Sequence, residues 1–240
     1  MAVEEIVPGL HRLLKGYVNA YAIEHEDGFT LVDTGLPQRA PRIAARLREL
    51  DRSLSDVRTI LITHHHSDHT GSLNDMVRLT GAIVYVHPAD APVVRGVRPP
   101  PGPNPTKLLG RTLGPLIMKL KSSRADPAGV DHELLDGQEL DVAGGIRVLH
   151  APGHTAGQTS FLWNRHGGVL IAGDAAGARG NRVAPPVGVV FGMFTEDIDE
   201  AKRSFHGLAN LEFEVAVFGH GNPIRERASE VFRGALQRMR

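Results

Sequence analysis

Short apolar runs alternate with stretches of helical periodicity along most of this chain. The runs 19–25 and 29–32 flank Asp27-Gly28, a dipeptide that favours a tight hairpin turn. The second run ends in Asp33-Thr34-Gly35. Residues 38–50 then place Ile43, Leu47 and Leu50 on one face of a predicted helix. The segment 57–63 has the continuous apolar character of a buried strand and stops at His64-His65-His66-Ser67-Asp68-His69. A helix over 72–79 and a strand over 83–86 follow. Strand, helix, strand in alternation predicts a mixed or partly parallel sheet.

The rhythm breaks over 88–127, which holds nine of the sixteen prolines. Such a stretch reads as an inserted loop with room for one short helix. Strands resume at 146–150, 159–164 and 169–172, with Gly167-Gly168 turning the last hairpin. Residues 197–211 form an amphipathic helix with Ile198, Ala201, Phe205 and Leu208 inward. A strand over 215–218 ends in Gly219-His220-Gly221. A closing helix at about 224–239 buries Ile224, Ala228, Val231, Phe232, Ala235 and Met239. Hairpins followed by a strand–helix unit thus occur twice, before and after the insertion. Two sheets packed face to face with helices outside would bury every apolar face. With no short repeat and no clear linker, the expectation is one domain over 1–240 with a Pro-rich basic insertion at about 88–130.

Composition narrows the function. At 240 residues, 41% hydrophobic and 22% charged, the chain is long enough to bury a substantial core without staples. A net charge of zero gives no global pull towards nucleic acid or a membrane surface. There is no cysteine, so disulfides, thiolate metal sites and Cys nucleophiles are excluded, and any metal must be held by His, Asp or Glu. The start, with Glu4 and Glu5, lacks the apolar run of a signal peptide, and no stretch reaches transmembrane length. The expectation is a cytoplasmic protein with a small-molecule substrate, no nucleic-acid partner and no stable membrane association. One segment departs from neutrality: 91–125 carries seven basic residues, Arg95, Arg98, Lys107, Arg111, Lys119, Lys121 and Arg124, and no acidic one. Interleaved with leucines, this segment is expected to act as a lid that attracts anionic substrates, with a dimer contact or a solvated loop as the alternatives.

His64-x-His66-x-Asp68-His69 carries the chemistry. It stands at the end of a predicted strand, where loops present side chains to ligands. In extended backbone, residues two apart point the same way, so His64 and His66 can grip one ion. After a turn, Asp68 and His69 face a second. Imidazole and carboxylate are the ligands that borderline and hard divalent ions take. His154, Asp174 and His220 each follow a strand beside glycine, which lets the backbone approach closely. Taken singly, Asp68 and Asp174 read as turn or cap residues. His65 points away from its neighbours and is not expected to be a ligand. The histidines at 11, 25, 87, 132, 150, 166 and 206 read as surface or structural, and Trp163 as core.

With these pieces in order, the chain resembles the metallo-β-lactamase superfamily from about residue 8 to 223. The matching pieces are Leu31-Val32-Asp33-Thr34-Gly35, the His64–His69 cluster, Pro152-Gly153-His154-Thr155, Gly173-Asp174-Ala175 and Gly219-His220-Gly221. The resemblance implies a four-layer αββα sandwich of two mixed sheets, with the site at one edge between them. It implies one metal on His64, His66 and His154, a second on Asp68, His69 and His220, Asp174 bridging both, and Asp33 orienting a ligand histidine or its loop. The ions would be two divalent cations per chain, zinc first, with iron or manganese as alternatives.

In two-metal hydrolases the ions sit about 3.5–4 Å apart and share a hydroxide that is available at neutral pH. That hydroxide would attack the substrate, with Asp68 carrying its proton to the leaving group. Zinc β-lactamases of the superfamily generally put Cys or Ser where Asp174 stands, so the resemblance is closer to the glyoxalase II and lactonase side. Only 20 residues follow His220, against the glutathione-binding domain of typical glyoxalase II enzymes. No tyrosine occurs in Ala175–Gly180, where acyl-homoserine-lactone lactonases often have one. The expected activity is hydrolysis of a small ester, thioester or lactone. The alternatives are an iron-dependent redox enzyme, a phosphodiesterase or nuclease, a β-lactam hydrolase and a non-catalytic binding protein of the same fold.

Overall fold

A computed structural model describes residues 3–104, 125–178, 187–190 and 192–238. Its first sheet has seven strands in sequential order: β1 (Glu4–Val7), β2 (Leu10–Leu14), β3 (Ala20–His25), β4 (Gly28–Val32), β5 (Val57–Leu61), β6 (Ile83–Val86) and β7 (His132–Glu133). The first four strands form an antiparallel meander, and β4 to β7 are parallel neighbours. Helices α1 (Ala40–Arg48), α2 (Ser67–Thr70), α3 (Leu73–Thr80) and α4 (Ala91–Val94) lie in the connections.

The second sheet adds β8 (Glu139–Leu140), β9 (Ile146–His150), β10 (Thr159–Trp163), β11 (Val169–Ile171) and β14 (Val215–Val217) in the order β14-β11-β10-β9-β8. Its β11–β14 pair is parallel and the others are antiparallel. Short strands β12 (Gly177–Ala178) and β13 (Val187–Gly188) pair separately. Helices α5 (Ile198–Ala209) and α6 (Ala228–Arg238) lie against the second sheet. Both sheets are mixed, as expected.

The period of two along a strand sorts side chains into layers. In β4, Val32 points between the sheets and Leu31 under the first sheet's helices. In β11, Val169 and Ile171 join Val32 in the central layer, whereas Leu170 packs beneath α5 and α6. Central residues from both sheets, among them Ile23, Leu61, Val148, Phe161 and Val217, form one cluster. Ile43, Leu47, Leu73 and Met76 cover the first sheet from outside, and Phe205, Leu208 and Phe232 the second. This is the αββα sandwich.

Several details differ from the pattern reading. The β3–β4 hairpin pairs His25 with Gly28, so the turn residues are Glu26-Asp27 rather than Asp27-Gly28. Gly28 lies inside the strand at φ +133°, where a Cβ would stand 2.0 Å from the Asp56 carbonyl oxygen. The last helix starts at Ala228 rather than about 224, because Ile224 is bridged to Ala216 beside β14 and Arg227 takes φ +51°. Ile198 is half-buried rather than inward, while Ala201, Phe205 and Leu208 are buried. Strands β1 and β2 escape the pattern because charged residues interrupt them, and Arg12 is nonetheless buried. The insertion contains α4, but residues 105–124, with most of the basic residues and leucines assigned to the lid, lie outside the described residues, as does Met239.

Candidate metal centre

The site is assembled from strand ends at one edge of the sandwich. β4 delivers Asp33, β5 leads to His64 and His66, and α2 carries Asp68 and His69. From the second sheet, His154 follows β9, Asp174 follows β11 and His220 follows β14. Backbone hydrogen bonds stitch these ends together: Thr34 N–H donates to His69 O at 2.8 Å, Thr159 N–H to Thr63 O at 2.8 Å, and Gly219 N–H to Gly173 O at 2.9 Å.

Seven side chains converge there. His64 with His66 and His154, His64 with His69 and Asp174, and Asp68 with His69 and His220 make three groups whose donor atoms lie within 4.8 Å of one another. His66 Nδ1 lies 3.0 Å from both His64 Nε2 and His154 Nε2. Asp174 stands between the groups, with Oδ2 3.3 Å from His154 Nε2 and 3.3 Å from His220 Nε2. Asp68 Oδ2 is 3.4 Å from His220 Nε2.

Hydrogen bonds behind the rings decide which nitrogen faces inward. Thr63 Oγ1 donates to Asp33 Oδ2 at 2.8 Å, so at 3.0 Å from His64 Nδ1 it must accept that ring's proton. Thr195 Oγ1 likewise donates to Val190 O, so His154 Nδ1–H is the donor across 3.3 Å. His69 Nδ1–H donates to Asp33 Oδ2 at 2.7 Å, and His220 Nδ1–H to the Tyr17 carbonyl. With each Nδ1 tethered outward, all four rings aim Nε2 into the site. Asp33 holds its carboxylate there from φ +61°, a conformation Asp tolerates better than most residues, and also accepts Thr63 N–H at 2.9 Å.

Two inward atoms, His69 Nε2 and Asp174 Oδ1, are buried with no hydrogen-bond partner among the described residues. Buried polar atoms are normally paired, so orphans aimed into a ring of donors fit a cation. Burial, reinforced by neighbouring imidazoles, holds His64 and His66 well below the ordinary histidine pKa. Burial also lowers His154, against the pull of Asp174. These three are neutral and ready to donate lone pairs. Burial pushes His69 the same way, but Asp33, Asp174 and Asp68 overcome it and raise it to about 9. His220, likewise opposed by burial, is raised to about 11 by Asp174, Asp68 and the Tyr17 carbonyl. Asp68 and Asp174 stay well below the usual carboxylate range despite burial, held there by His69, His220 and, for Asp174, His154. The residues therefore fit a divalent-metal centre in charge and donor type.

The site opens into a cavity of about 1060 Å³. Its lining includes Asp68, Asp174, His66, His154 and His220, the apolar Leu36, Leu73, Val93, Val94 and Phe194, and the charged residues Arg98 and Asp126.

Pattern reading missed several supporting residues. Asn19 Nδ2 donates to Phe218 O and Gly221 O at 3.0 and 2.8 Å, and Tyr21 Oη to Phe218 O at 2.9 Å, so β3 and the residue before it fix the backbone around His220. Tyr17 packs edge-on against the His220 ring, with centroids 5.2 Å apart. Asp90 is 1% exposed and touches the loops of His64–His66 and His154. Its place before Ala91-Pro92 signals a helix start, which is the only hint the sequence holds. His65 belongs to none of the three groups; its Nδ1 lies 3.0 Å from Asp90. The seven remaining histidines also stand apart from the groups, with His11 buried and His87 stacked on His150 at 3.9 Å. Trp163 is core.

Comparison with known proteins agrees with this geometry. The sequence model of the metallo-β-lactamase superfamily matches residues 13–220, which include all seven converging residues. A probable metallo-hydrolase, YflN, of Bacillus subtilis (strain 168) is 29% identical, over 92% of this chain and 86% of its own length. A hydroxyacylglutathione hydrolase of Pseudomonas aeruginosa is 30% identical over 76% of this chain, but only 60% of that protein is covered. Among solved structures, a metallo-β-lactamase family protein from Thermus thermophilus superposes with a TM-score of 0.72 at 28% identity, over 98% of this chain and 80% of that one.

Proposed function

We propose that this chain, which belongs to the metallo-β-lactamase superfamily and is a metal-dependent hydrolase, works with two divalent ions, zinc first, on a small ester, thioester or lactone. The observation that carries the reading is the inward pair Asp174 Oδ1 and His69 Nε2, 3.7 Å apart and each without a hydrogen-bond partner among the described residues. Around it the donors form three overlapping groups, and Asp174 Oδ2 lies 3.3 Å from both His154 Nε2 and His220 Nε2. His64, His66 and His154 would hold one ion, and Asp68, His69 and His220 the other, with Asp174 between them. When bound, such ions polarise the scissile carbonyl and make water nucleophilic at neutral pH.

The chain's own groups do the rest. Asp68 lines the cavity and stays ionised, so it can take a proton from the attacking water and pass it to the leaving group. Asp33 and Thr63 keep His69 and His64 in one orientation, and Thr195 does so for His154, so these three donors need not reorganise when substrate enters. The apolar wall formed by Leu36, Leu73, Val93, Val94 and Phe194 excludes water and suits an acyl group. Arg98 favours a substrate that also bears negative charge. The hydroxyacylglutathione hydrolase among the relatives supports acyl hydrolysis over β-lactam cleavage.

Among the described residues no helix is long and apolar enough to cross a membrane, and our reading places the reaction in the cytoplasm without a nucleic-acid or membrane partner. Elemental analysis of protein purified without chelator should find two ions per chain. A panel of lactones, thioesters, phosphodiesters and β-lactams should show turnover of the first two classes. Turnover confined to phosphodiesters or β-lactams would refute the substrate assignment.

A further inference from the structure

Asp90 has the burial and partners of a functional carboxylate, although it offers no atom to the three donor groups. Its Oδ2 accepts the backbone N–H of His65 at 2.8 Å and the Thr155 hydroxyl at 2.8 Å. Its Oδ1 accepts Gly157 N–H at 2.9 Å. The donor His65 N–H lies between His64 and His66, and Thr155 directly follows His154. One carboxylate therefore joins the two loops that carry the three-histidine group. The contact is close: a Cβ at Gly157 would lie 2.6 Å from Asp90 Cγ. On its other side the 154–157 turn is held by Glu196, whose Oε2 accepts Ala156 N–H at 3.0 Å and whose N–H donates to His154 O at 3.1 Å.

The simplest competing role is helix capping, since Asp90 is the N-cap residue of α4. Its side chain makes no cap hydrogen bond, however; the carboxylate turns away from the helix and is spent on the two loops. The parallel with Asp33 is close. Asp33 ties Thr63 to His69 directly, whereas Asp90 ties the loops on either side of a site in which His66 Nδ1 and His154 Nε2 lie 3.0 Å apart.

We propose that Asp90 is a positioning residue for the three-histidine group: it clamps the 64–66 loop to the 154–157 turn and so sets the convergence of His66 on His154. The proposal rests on the reading that these histidines hold an ion. Asp90→Asn keeps the volume but replaces one acceptor oxygen by an NH2 that opposes a donor. Thr155→Val removes one strand of the clamp, and Thr155→Ser keeps it.

The test is a calorimetric titration of chelator-treated protein with Zn2+ alone. The two binding steps are assigned through His66→Ala and His69→Ala, and thermal midpoints are measured alongside. Asp90→Asn should weaken the step lost in His66→Ala by about 10–100-fold and leave the other close to wild type, as outer partners of metal ligands do. Thr155→Val should weaken the same step, and Thr155→Ser should restore it. Weakening of both steps in proportion to lost thermal stability would mean a merely structural role and overturn the proposal, as would wild-type affinities in Asp90→Asn. If Asp90→Asn does not fold, Thr155→Val decides: unchanged affinities there defeat the clamp. If wild-type protein takes up no zinc, the metal reading itself fails and this proposal falls with it; if wild type takes up two ions and the variants match it, only the clamp is lost.

Discussion

Asp33 Oδ2 lies 2.7 Å from His69 Nδ1 and accepts its proton, and the same oxygen accepts the Thr63 hydroxyl at 2.8 Å. One buried carboxylate thus orients His69 directly and His64 through Thr63. Asparagine tolerates φ +61° but must turn its NH2 either towards the His69 and Thr63 side-chain donors or towards the Thr63 N–H that Oδ1 accepts. Asp33→Asn should therefore fold and lose about 10–100-fold in metal affinity or kcat/KM. Wild-type affinity and rate in a folded Asp33→Asn protein would remove Asp33 from the support of the site.

How much of this was legible in the sequence depends on where the information sits. The clustering of His64, His66, Asp68 and His69 with His154, Asp174 and His220 could be read because each needs a particular residue type after a strand. The long helices could be read because a 3.6-residue period spans several turns. Strand β2 could not, because Arg12 breaks its apolar run and is buried only through Glu4 from β1 and the Gly221 carbonyl, 209 residues away. Asp90 could not, because its partners are two backbone N–H groups, a hydroxyl and the His65 ring, brought together by tertiary packing. The turn of the β3–β4 hairpin lies one residue earlier than its sequence suggests because Gly28 answers to Asp56, a neighbour from another loop, rather than to the turn itself.

Asp174 and Asp33 should separate in their effects. Asp174 Oδ2 lies 3.3 Å from both His154 and His220, so under the proposed two-ion reading Asp174→Ala removes a donor from each ion, whereas Asp33 belongs to none of the donor groups. Asp174→Ala should lose activity well beyond the roughly 100-fold expected at the outer end for a supporting partner, together with metal retention. Small and equal losses at the two positions would take Asp174 out of the centre.

Gly219 leaves room for the site. A Cβ there would lie 2.2 Å from Asp174 Oδ1 and 2.6 Å from His69 Cε1, while its backbone is not among the left-handed glycines. Alanine can adopt the backbone but must displace both groups. A shift on the order of 1 Å at a reacting centre costs about 100-fold. Gly219→Ala should therefore keep its circular dichroism spectrum and lose about that much activity. Normal turnover with two ions bound would show that the pocket yields and that the close approach has no functional consequence.

Proton release on metal binding should distinguish the two donor groups. Without metal at neutral pH, His64, His66 and His154 are held below the ordinary histidine value, so an ion binding them displaces no proton. His69, raised to about 9, and His220, raised to about 11, each carry a proton that the ion at Asp68, His69 and His220 must expel. Each proton displaced makes affinity rise about tenfold per pH unit. The step assigned to this group should therefore tighten by about 100-fold per unit up to pH 9, and less steeply above it. The other step should be flat above about pH 6.5. The sign for the chelated protein is opposite. Its raised histidines stabilise the fold fully below their unfolded value of about 6.5. That stability is lost as pH climbs through 9 and then 11, so the metal-free protein should lose thermal stability in alkali. Zinc titrations at pH 6.5, 7.5 and 8.5, in buffers of different ionisation enthalpy, count the protons directly. Two protons released in one step and none in the other is the expected result; equal pH dependence in both steps would mean that the carboxylates do not divide the site in this way.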